Sequence, residues 1–193
     1  MSERKGEIIR TTKETDIRIS LHLDGGEVSV DSGIGFLDHM LTAFGVHGGF
    51  GLNVSCKGDL NVDGHHTAED IGIALGQAFS MAIGDKKGIS RYGSFYIPMD
   101  EALAFCSLDI SGRPFLVFDA EFPQWRCGEF DCCLTEEFFR AFAMNSGVTL
   151  HIRSMYGKNS HHIIEAIFKA AAHALKAACR IEYEGTLSTK GVL

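Results

Sequence analysis

Short stretches in which every second residue is hydrophobic mark the predicted strands. Residues 16–23 alternate isoleucine and leucine with polar side chains, which predicts a half-buried strand. The glycine turn at residues 24–26 predicts a hairpin into a short partner strand at residues 27–30. Residues 52–56 alternate again and predict a further strand.

Two stretches with a helical hydrophobic period surround that last strand. Apolar side chains at three- and four-residue spacing predict an amphipathic helix over residues 36–46. The same spacing across residues 71–82 predicts a longer helix that ends at Gly84.

The second half of the chain repeats this order. The strand end at residues 107–112 resembles residues 20–25, residues 138–142 predict the shorter helix, and residues 148–152 predict the following strand. Residues 164–175 supply the core face of the longer helix. The predicted order of elements in each half is therefore strand, strand, helix, strand, helix, and one additional strand is possible. The predicted class is α+β, with two pseudo-twofold-related repeats, each an antiparallel or mixed sheet with two helices on one face.

One motif occurs in both halves at the start of the longer helix. HHTAEDI at residues 65–71 returns 96 positions later as HHIIEAI at residues 161–167. In each copy the first histidine and the glutamate are four residues apart, so they share one helix face and can hold one ion. Consecutive histidines point about 100° apart, so each pair is expected to divide its imidazoles between two metals. The predicted ligands from the two motifs are His65, His66, Glu69, His161, His162 and Glu165.

Two imidazoles leave a six-coordinate ion short of ligands, so further donors are expected. His39 on the first short helix is the natural candidate, and its counterpart in the repeat is Glu137. Mixed imidazole and carboxylate ligands suit Mn, Fe, Co or Zn, with the metal chosen by availability and octahedral geometry rather than by tightness.

Composition narrows the class of protein. The 193 residues are 45% hydrophobic and carry a net charge of −7, which allows a sizeable core and argues against wholesale binding to nucleic acid or anionic membrane. No apolar run is long enough to cross a membrane, and the first residues do not resemble a signal peptide. Six irregularly spaced cysteines indicate free thiols rather than a disulfide framework. We expect a soluble, cytoplasmic protein.

Several cationic or hydroxyl side chains are candidates for anion binding. Arg91 and Arg113 each follow a glycine turn region, and Lys169 lies one turn beyond the glutamate of the second motif. Ser188 and Lys190 in the C-terminal tail offer a hydroxyl and an ammonium group. Each of these residues is a weak signal by itself.

Five motifs together resemble the imidazoleglycerol-phosphate dehydratase family. They are GIGFLDHML, DGHHTAEDIGIALGQA, MDEALAFCSLDISGRP, YGKNSHHIIEAIFKA and STKGVL, and they cover almost the whole chain. The resemblance implies the stand-alone form of a hydro-lyase of histidine biosynthesis, a ribosomal protein S5 domain 2-like fold, and two Mn²⁺ per active site. It also implies a 24-subunit shell with active sites between subunits. Residues 1–193 then form one catalytic domain, with repeats at about 8–90 and 91–185 and a substrate-binding tail at 186–193.

The resemblance also assigns roles to individual residues. It implies that Glu14 is the catalytic base and that Glu137 stands where the family often has a metal-binding histidine. Ala43 replaces a glutamine associated with phosphate, and Gly64 replaces an acidic residue common before the histidine pair. The implied metal ligands are His39, His65, His66, Glu69, Glu137, His161, His162 and Glu165. The implied substrate-binding residues are Arg91, Arg113, Lys169, Ser188 and Lys190.

The reaction implied by the resemblance removes a hydroxyl group next to an imidazole ring and a proton from the following carbon. Bridging the ring between two cations favours imidazolate, which can expel hydroxide to give a diazafulvene with an acidic neighbouring C–H. Glu14, or a metal-bound water for one proton step, then removes that proton, and the enol becomes imidazole-acetol phosphate.

Two other classes of function compete with this one. A dinuclear metallohydrolase of a phosphorylated small molecule would use its ions to activate water. A non-catalytic metal-storage shell would resemble the di-iron bundles, which use long helices with Glu-x-x-His order rather than the reverse order found here.

Overall fold

A computed structural model gives the fold and describes residues 3–191. Its elements divide into two halves of similar order, with one additional small hairpin in the second half. The elements in chain order are β1 (Lys5–Thr11), β2 (Thr15–His22), β3 (Val28–Asp31), α1 (Gly35–Gly48), β4 (Gly51–Gly58), α2 (His65–Ile83), β5 (Tyr92–Met99), β6 (Ala102–Asp109), β7 (Phe115–Asp119), β8 (Arg126–Cys127), β9 (Phe130–Asp131), α3 (Leu134–Ser146), β10 (Thr149–Tyr156) and α4 (Ser160–Ala178).

The first sheet is mixed, with the strand order β1-β2-β4-β3. β1 and β2 form an antiparallel hairpin, and β4 pairs antiparallel with the other edge of β2. β3 pairs in parallel with β4 and makes no ladder with β2, so the predicted hairpin across residues 24–26 is wrong. The chain instead passes over the end of β4, where Gly26 lies so close to Gly51 that an added Cβ would be 3.1 Å from the Gly51 Cα.

The second sheet has the equivalent order β5-β6-β10-β7, with β7 parallel to β10. The additional strand for which the pattern left room is therefore the edge strand in both halves, β1 and β5. The predicted α+β class with two similar halves and mixed sheets is confirmed.

The four helices lie between the two sheets. α2 packs on β1 and β2, while α4 packs on β5 and β6. Each helix also contacts a helix of the other half, α1 with α4 and α2 with α3. Phe168 of α4 stands at the centre, with its ring centroid 5.2 Å from that of Phe138 and 4.8 Å from that of Phe139. Buried side chains of both halves belong to one hydrophobic cluster, so the core is shared between the halves.

The contact between α2 and α3 depends on two glycines. An added Cβ at Gly72 would lie 2.6 Å from the carbonyl oxygen of Phe138, and one at Gly76 would lie 2.7 Å from that of Phe142. Both distances are too short for real Cβ atoms, so the two backbones approach more closely than any larger residue permits.

The observed boundaries place the sequence motifs on defined elements. α2 begins at the first histidine of its motif, and Asn159 caps α4 by accepting from the His161 N–H at 2.9 Å. All six cysteines are free, as expected. No helix within residues 3–191 is both long and apolar enough to cross a membrane. The last two residues of the predicted 186–193 tail lie outside the described residues.

Candidate active site

The contact between α1 and α4 brings one histidine of the first half to the motif of the second half. His39 Nε2 lies 3.5 Å and His161 Nε2 lies 3.3 Å from the same oxygen of Glu165. Ligand atoms of all three residues lie within 4.8 Å of one another. We call His39, His161 and Glu165 the three-ligand group.

The carboxylate of Glu165 is buried but ionised. Burial is the largest single effect and raises its pKa. The hydrogen bond from the Lys169 ammonium and the charges of Lys169, His39 and His161 together outweigh burial, so the net pKa is lowered. The Lys169 Nζ to Glu165 Oε1 distance is 2.7 Å, and the Glu165 side chain is 8% exposed. Two imidazoles and an ionised carboxylate are a donor set that fits a divalent transition metal.

His66 is oriented by a carboxylate on the loop before α2. Its Nδ1 lies 3.0 Å from Asp59 Oδ2, and its Nε2 lies 3.8 Å from Glu14 Oε1. The hydrogen bond to Asp59 raises the pKa of His66, and the nearby charge of Glu14 acts in the same direction. The interaction at Nδ1 leaves Nε2 as the nitrogen available to a metal.

His162 has an equivalent partner in Glu101, between β5 and β6. Its Nδ1 lies 2.6 Å from Glu101 Oε2, and its Nε2 lies 3.6 Å from Asp100 Oδ2. The hydrogen bond from His162 and the backbone N–H groups of Lys158 and Asn159 lower the pKa of Glu101 to about 2. The same hydrogen bond raises the pKa of His162.

Sequence reasoning missed both orienting carboxylates. A signal existed for Glu101, because it occupies the position of Glu14 in the internal repeat. Asp59 lies seven residues before His66 in an irregular loop, and no spacing rule connects the two. Carboxylates on the second ring nitrogen fix the tautomer and direction of metal-binding histidines.

The remaining predicted ligands are not assembled into an equivalent group. His65 Nε2 lies 3.7 Å from Glu69 Oε2, so the first motif does place both side chains on one face. Glu137, the repeat counterpart of His39, instead faces Arg140, whose Nε is 3.8 Å away. Among residues 3–191, the three-ligand group is the one cluster of three or more donors close enough to share an ion.

Two predicted anion-binding arginines converge on Asp109 at the end of β6. Arg91 makes a two-pronged contact with Asp109, at 2.6 Å through Nε and 3.0 Å through Nη2. Its Nη1 donates to the carbonyl of Leu187 at 2.7 Å, which ties the C-terminal tail to this point. Arg113 is more open, with Nη2 3.6 Å from Asp109 and a side chain that is 66% exposed. We call Arg91, Arg113 and Asp109 the arginine cluster.

The two predicted tail residues follow this tether. Ser188 comes directly after Leu187, and its Oγ accepts from the backbone N–H of Lys190 at 3.2 Å. Lys190 is exposed, while Ser188 is half-buried. Lys169, the fifth predicted anion-binding residue, lies apart from them beside the three-ligand group.

The arginine cluster and the three-ligand group stand at opposite ends of α4. The Arg91 N–H donates at 2.9 Å to the carbonyl of Ala178, the last residue of the helix. Glu165 precedes Ala178 by 13 positions, which corresponds to about 20 Å at 1.5 Å per residue. About 20 Å of helix therefore separates the anchor points of the two groups on one chain.

Comparisons with known proteins identify the same family over nearly the whole chain. The family model for imidazoleglycerol-phosphate dehydratase matches residues 32–175. The Acetivibrio thermocellus imidazoleglycerol-phosphate dehydratase is 55% identical, with 99% of this chain and 100% of that protein covered. The Thermoanaerobacter pseudethanolicus protein of the same name is 56% identical, with 98% and 100% covered.

Solved structures give the same result. The crystal structure of imidazoleglycerol-phosphate dehydratase from Staphylococcus aureus matches with a TM-score of 0.83 at 46% identity, over 90% of this chain and 97% of that one. The Pyrococcus furiosus structure matches with a TM-score of 0.85 at 39% identity, over 96% and 100%. The prediction of an enzyme of this family is confirmed, and the chain covers 97% to 100% of the length of these relatives. The chain belongs to the imidazoleglycerol-phosphate dehydratase family.

Proposed function

We propose that this chain dehydrates imidazoleglycerol phosphate to imidazole-acetol phosphate as a step of histidine biosynthesis. Membership of the family supports the reaction. The observation that carries the proposal is the three-ligand group, in which His39, His161 and an ionised Glu165 converge from two helices. Free thiols at all six cysteines suit a reducing, cytoplasmic setting.

Two Mn²⁺ ions per active site are the metals we propose. His39, His161 and Glu165 would hold one ion. His66 and His162 would coordinate through Nε2, since Nδ1 of each ring is already bound to Asp59 or Glu101. The remaining proposed ligands are His65, Glu69 and Glu137. When bound, such cations would stabilise the deprotonated form of the substrate imidazole by Lewis-acid chemistry.

Glu14 is the base that we propose for the carbon-bound proton. Its side chain is 52% exposed, and one oxygen lies 3.8 Å from His66 Nε2, so it borders the ligand positions and remains open to a substrate. A carboxylate at that position can accept the proton from the carbon next to the departing hydroxyl group.

We infer that each active site draws on more than one subunit, within the proposed 24-subunit shell. The separation of about 20 Å between the arginine cluster and the three-ligand group supports this arrangement. The incomplete state of the first motif, where Glu137 faces Arg140, also supports it. Arg91, Arg113, Ser188 and Lys190 of one subunit would then bind the phosphate group, while Lys169 neutralises charge beside the metals.

An assay on imidazoleglycerol phosphate tests the proposed function. We expect activity to disappear on chelation and to return with Mn²⁺, and the product to be a ketone that retains its phosphate. Glu14→Gln should keep its metal but lose turnover by at least about 100-fold. Release of inorganic phosphate would indicate a metallohydrolase instead, and full activity of the chelated protein would exclude the metal proposal.

A further inference from the structure

The turn that carries Glu14 is fastened to α2 by one buried carboxylate, Asp70. Arg10, the penultimate residue of β1, donates through Nη1 to Asp70 Oδ2 at 2.5 Å. Thr15, the first residue of β2, donates through its hydroxyl group to the same oxygen at 2.5 Å. The two donors flank Glu14 in the chain, so the turn is held on both sides.

The turn itself is internally stiff. The backbone N–H groups of Glu14 and Thr15 donate to the hydroxyl of Thr12 at 3.1 and 3.0 Å, and the Thr12 N–H donates to the Thr15 carbonyl at 2.8 Å. The carboxylate of Glu14 has no such support, since within residues 3–191 it accepts no hydrogen bond and its one ion-pair contact is with His66 Nε2 at 3.8 Å. The location of that carboxylate therefore depends on where the whole turn sits against α2.

Asp70 lies where it can fix the positions of both Glu14 and His66. It follows His66 by four positions on α2, so the two side chains project from the same helix face one turn apart. Asp70 is buried, with 9% of its side chain exposed, and its partner Arg10 is 27% exposed. A contact this buried holds its partners more firmly than an exposed ion pair.

The second half of the chain, over its described residues, has no equivalent of the anchoring carboxylate Asp70. Ala166 occupies the position of Asp70 in the repeat, and Glu101, the counterpart of Glu14, is held directly by two backbone N–H groups and His162. The carboxylate of Glu101 is therefore held directly, whereas the carboxylate of Glu14 is free within the described part of the chain and only the turn that carries it is anchored.

We propose that Asp70 is a positioning residue, which places Glu14 for proton transfer by anchoring the turn through Arg10 and Thr15. This inference rests on the proposed function, in which Glu14 is the base. Asp70 acts on turnover through the geometry of the turn, and it touches neither the metals nor the substrate.

The test compares Asp70→Asn and Thr15→Val with a matched control, Asp16→Asn. Asp16 accepts from the Thr11 hydroxyl at 2.9 Å across the same turn, but on its exposed side and without a link to α2. We expect Asp70→Asn to lower kcat by about 10- to 100-fold and Thr15→Val by about 3- to 10-fold, with KM within about threefold. Asp16→Asn should stay within about twofold of the original kcat.

Two further readouts separate positioning from general damage. The Mn²⁺ content of Asp70→Asn should equal that of the unmodified protein, and Asp70→Asn should cause no further loss of kcat when added to Glu14→Gln. An unchanged kcat, a loss of bound metal, or an additive loss in the double variant would each overturn the inference.

Thr15→Val keeps the test decisive if Asp70→Asn does not fold. If Glu14→Gln turns over at the original rate, the proposed base itself is wrong; if it is slow while Asp70→Asn is not, only the role of Asp70 is wrong.

Discussion

An active site divided between subunits can be tested by mixing two defective chains. Glu165→Gln damages the three-ligand group and keeps the size of a side chain that is 8% exposed. Arg113→Ala damages the arginine cluster at a side chain that is 66% exposed. Neither variant alone has both parts of a site intact, so we expect each homogeneous protein to have little activity.

The structure gives the expected size of the recovery. The two damaged positions lie about 20 Å apart along α4. β6 gives a consistent distance, because it runs from Ala102 beside the motif to Asp109 in the arginine cluster, about 23 Å at 3.3 Å per residue. If every site takes its metal ligands from one subunit and its phosphate ligands from another, random mixing leaves about a quarter of the sites intact.

The assay co-expresses the two variants with different affinity tags and purifies the mixed assemblies through both tags. We expect a kcat of about a quarter of the original value per site, against background activity for each variant purified alone. Mixed assemblies that stay at background would show that both groups serve one site in one chain despite their separation along α4.

Three further predictions concern stability and metal binding. Gly93→Ala should lower the free energy of unfolding in urea by at least about 1–3 kcal/mol, because the new Cβ would lie 1.9 Å from the carbonyl oxygen of Ala174; unchanged stability would contradict the close approach of β5 and α4. Phe168→Ala should cost about 3–5 kcal/mol in the same experiment, since this ring is fully buried where the helices meet; a loss below 1 kcal/mol would refute a tightly packed centre. Chelation should lower the thermal midpoint and Mn²⁺ should restore it, with a smaller change in Glu165→Gln; equal changes in both proteins would remove Glu165 from the ligand set.

Much of the fold could be predicted because the hydrophobic period is strong where elements are half-buried. Residues 16–23 and 36–46 were assigned correctly to a strand and a helix, since one face of each packs inward. β1 gave a weak signal because it is an edge strand whose exposed positions include Ile9. The parallel pairing of β3 was missed because a two-glycine turn has the same sequence pattern in two cases. The chain can fold back into a hairpin, or it can cross the end of a neighbouring strand.

The candidate site was predictable only where its residues follow helical spacing. His161 and Glu165 share a face because they are four residues apart, but the approach of His39 depends on how α1 packs on α4, which no local pattern encodes. The pairing of Arg91 with Asp109 joins positions 18 residues apart. Such contacts arise from strand register, which becomes visible only when the sheet has been assembled.

The sharing of the core between the halves has a consequence for how such a protein can arise and be divided. Besides the sheet of its own half, α2 buries a face against α3 and α4 buries a face against α1. A fragment ending at Gly84 would therefore expose the apolar face of α2 that α3 covers to water. A protein consisting of a single half would need to form a homodimer, in which each copy covers the exposed apolar helix face of the other about a twofold axis. Cutting the chain between α2 and β5 should likewise give two pieces that become ordered only in each other's presence.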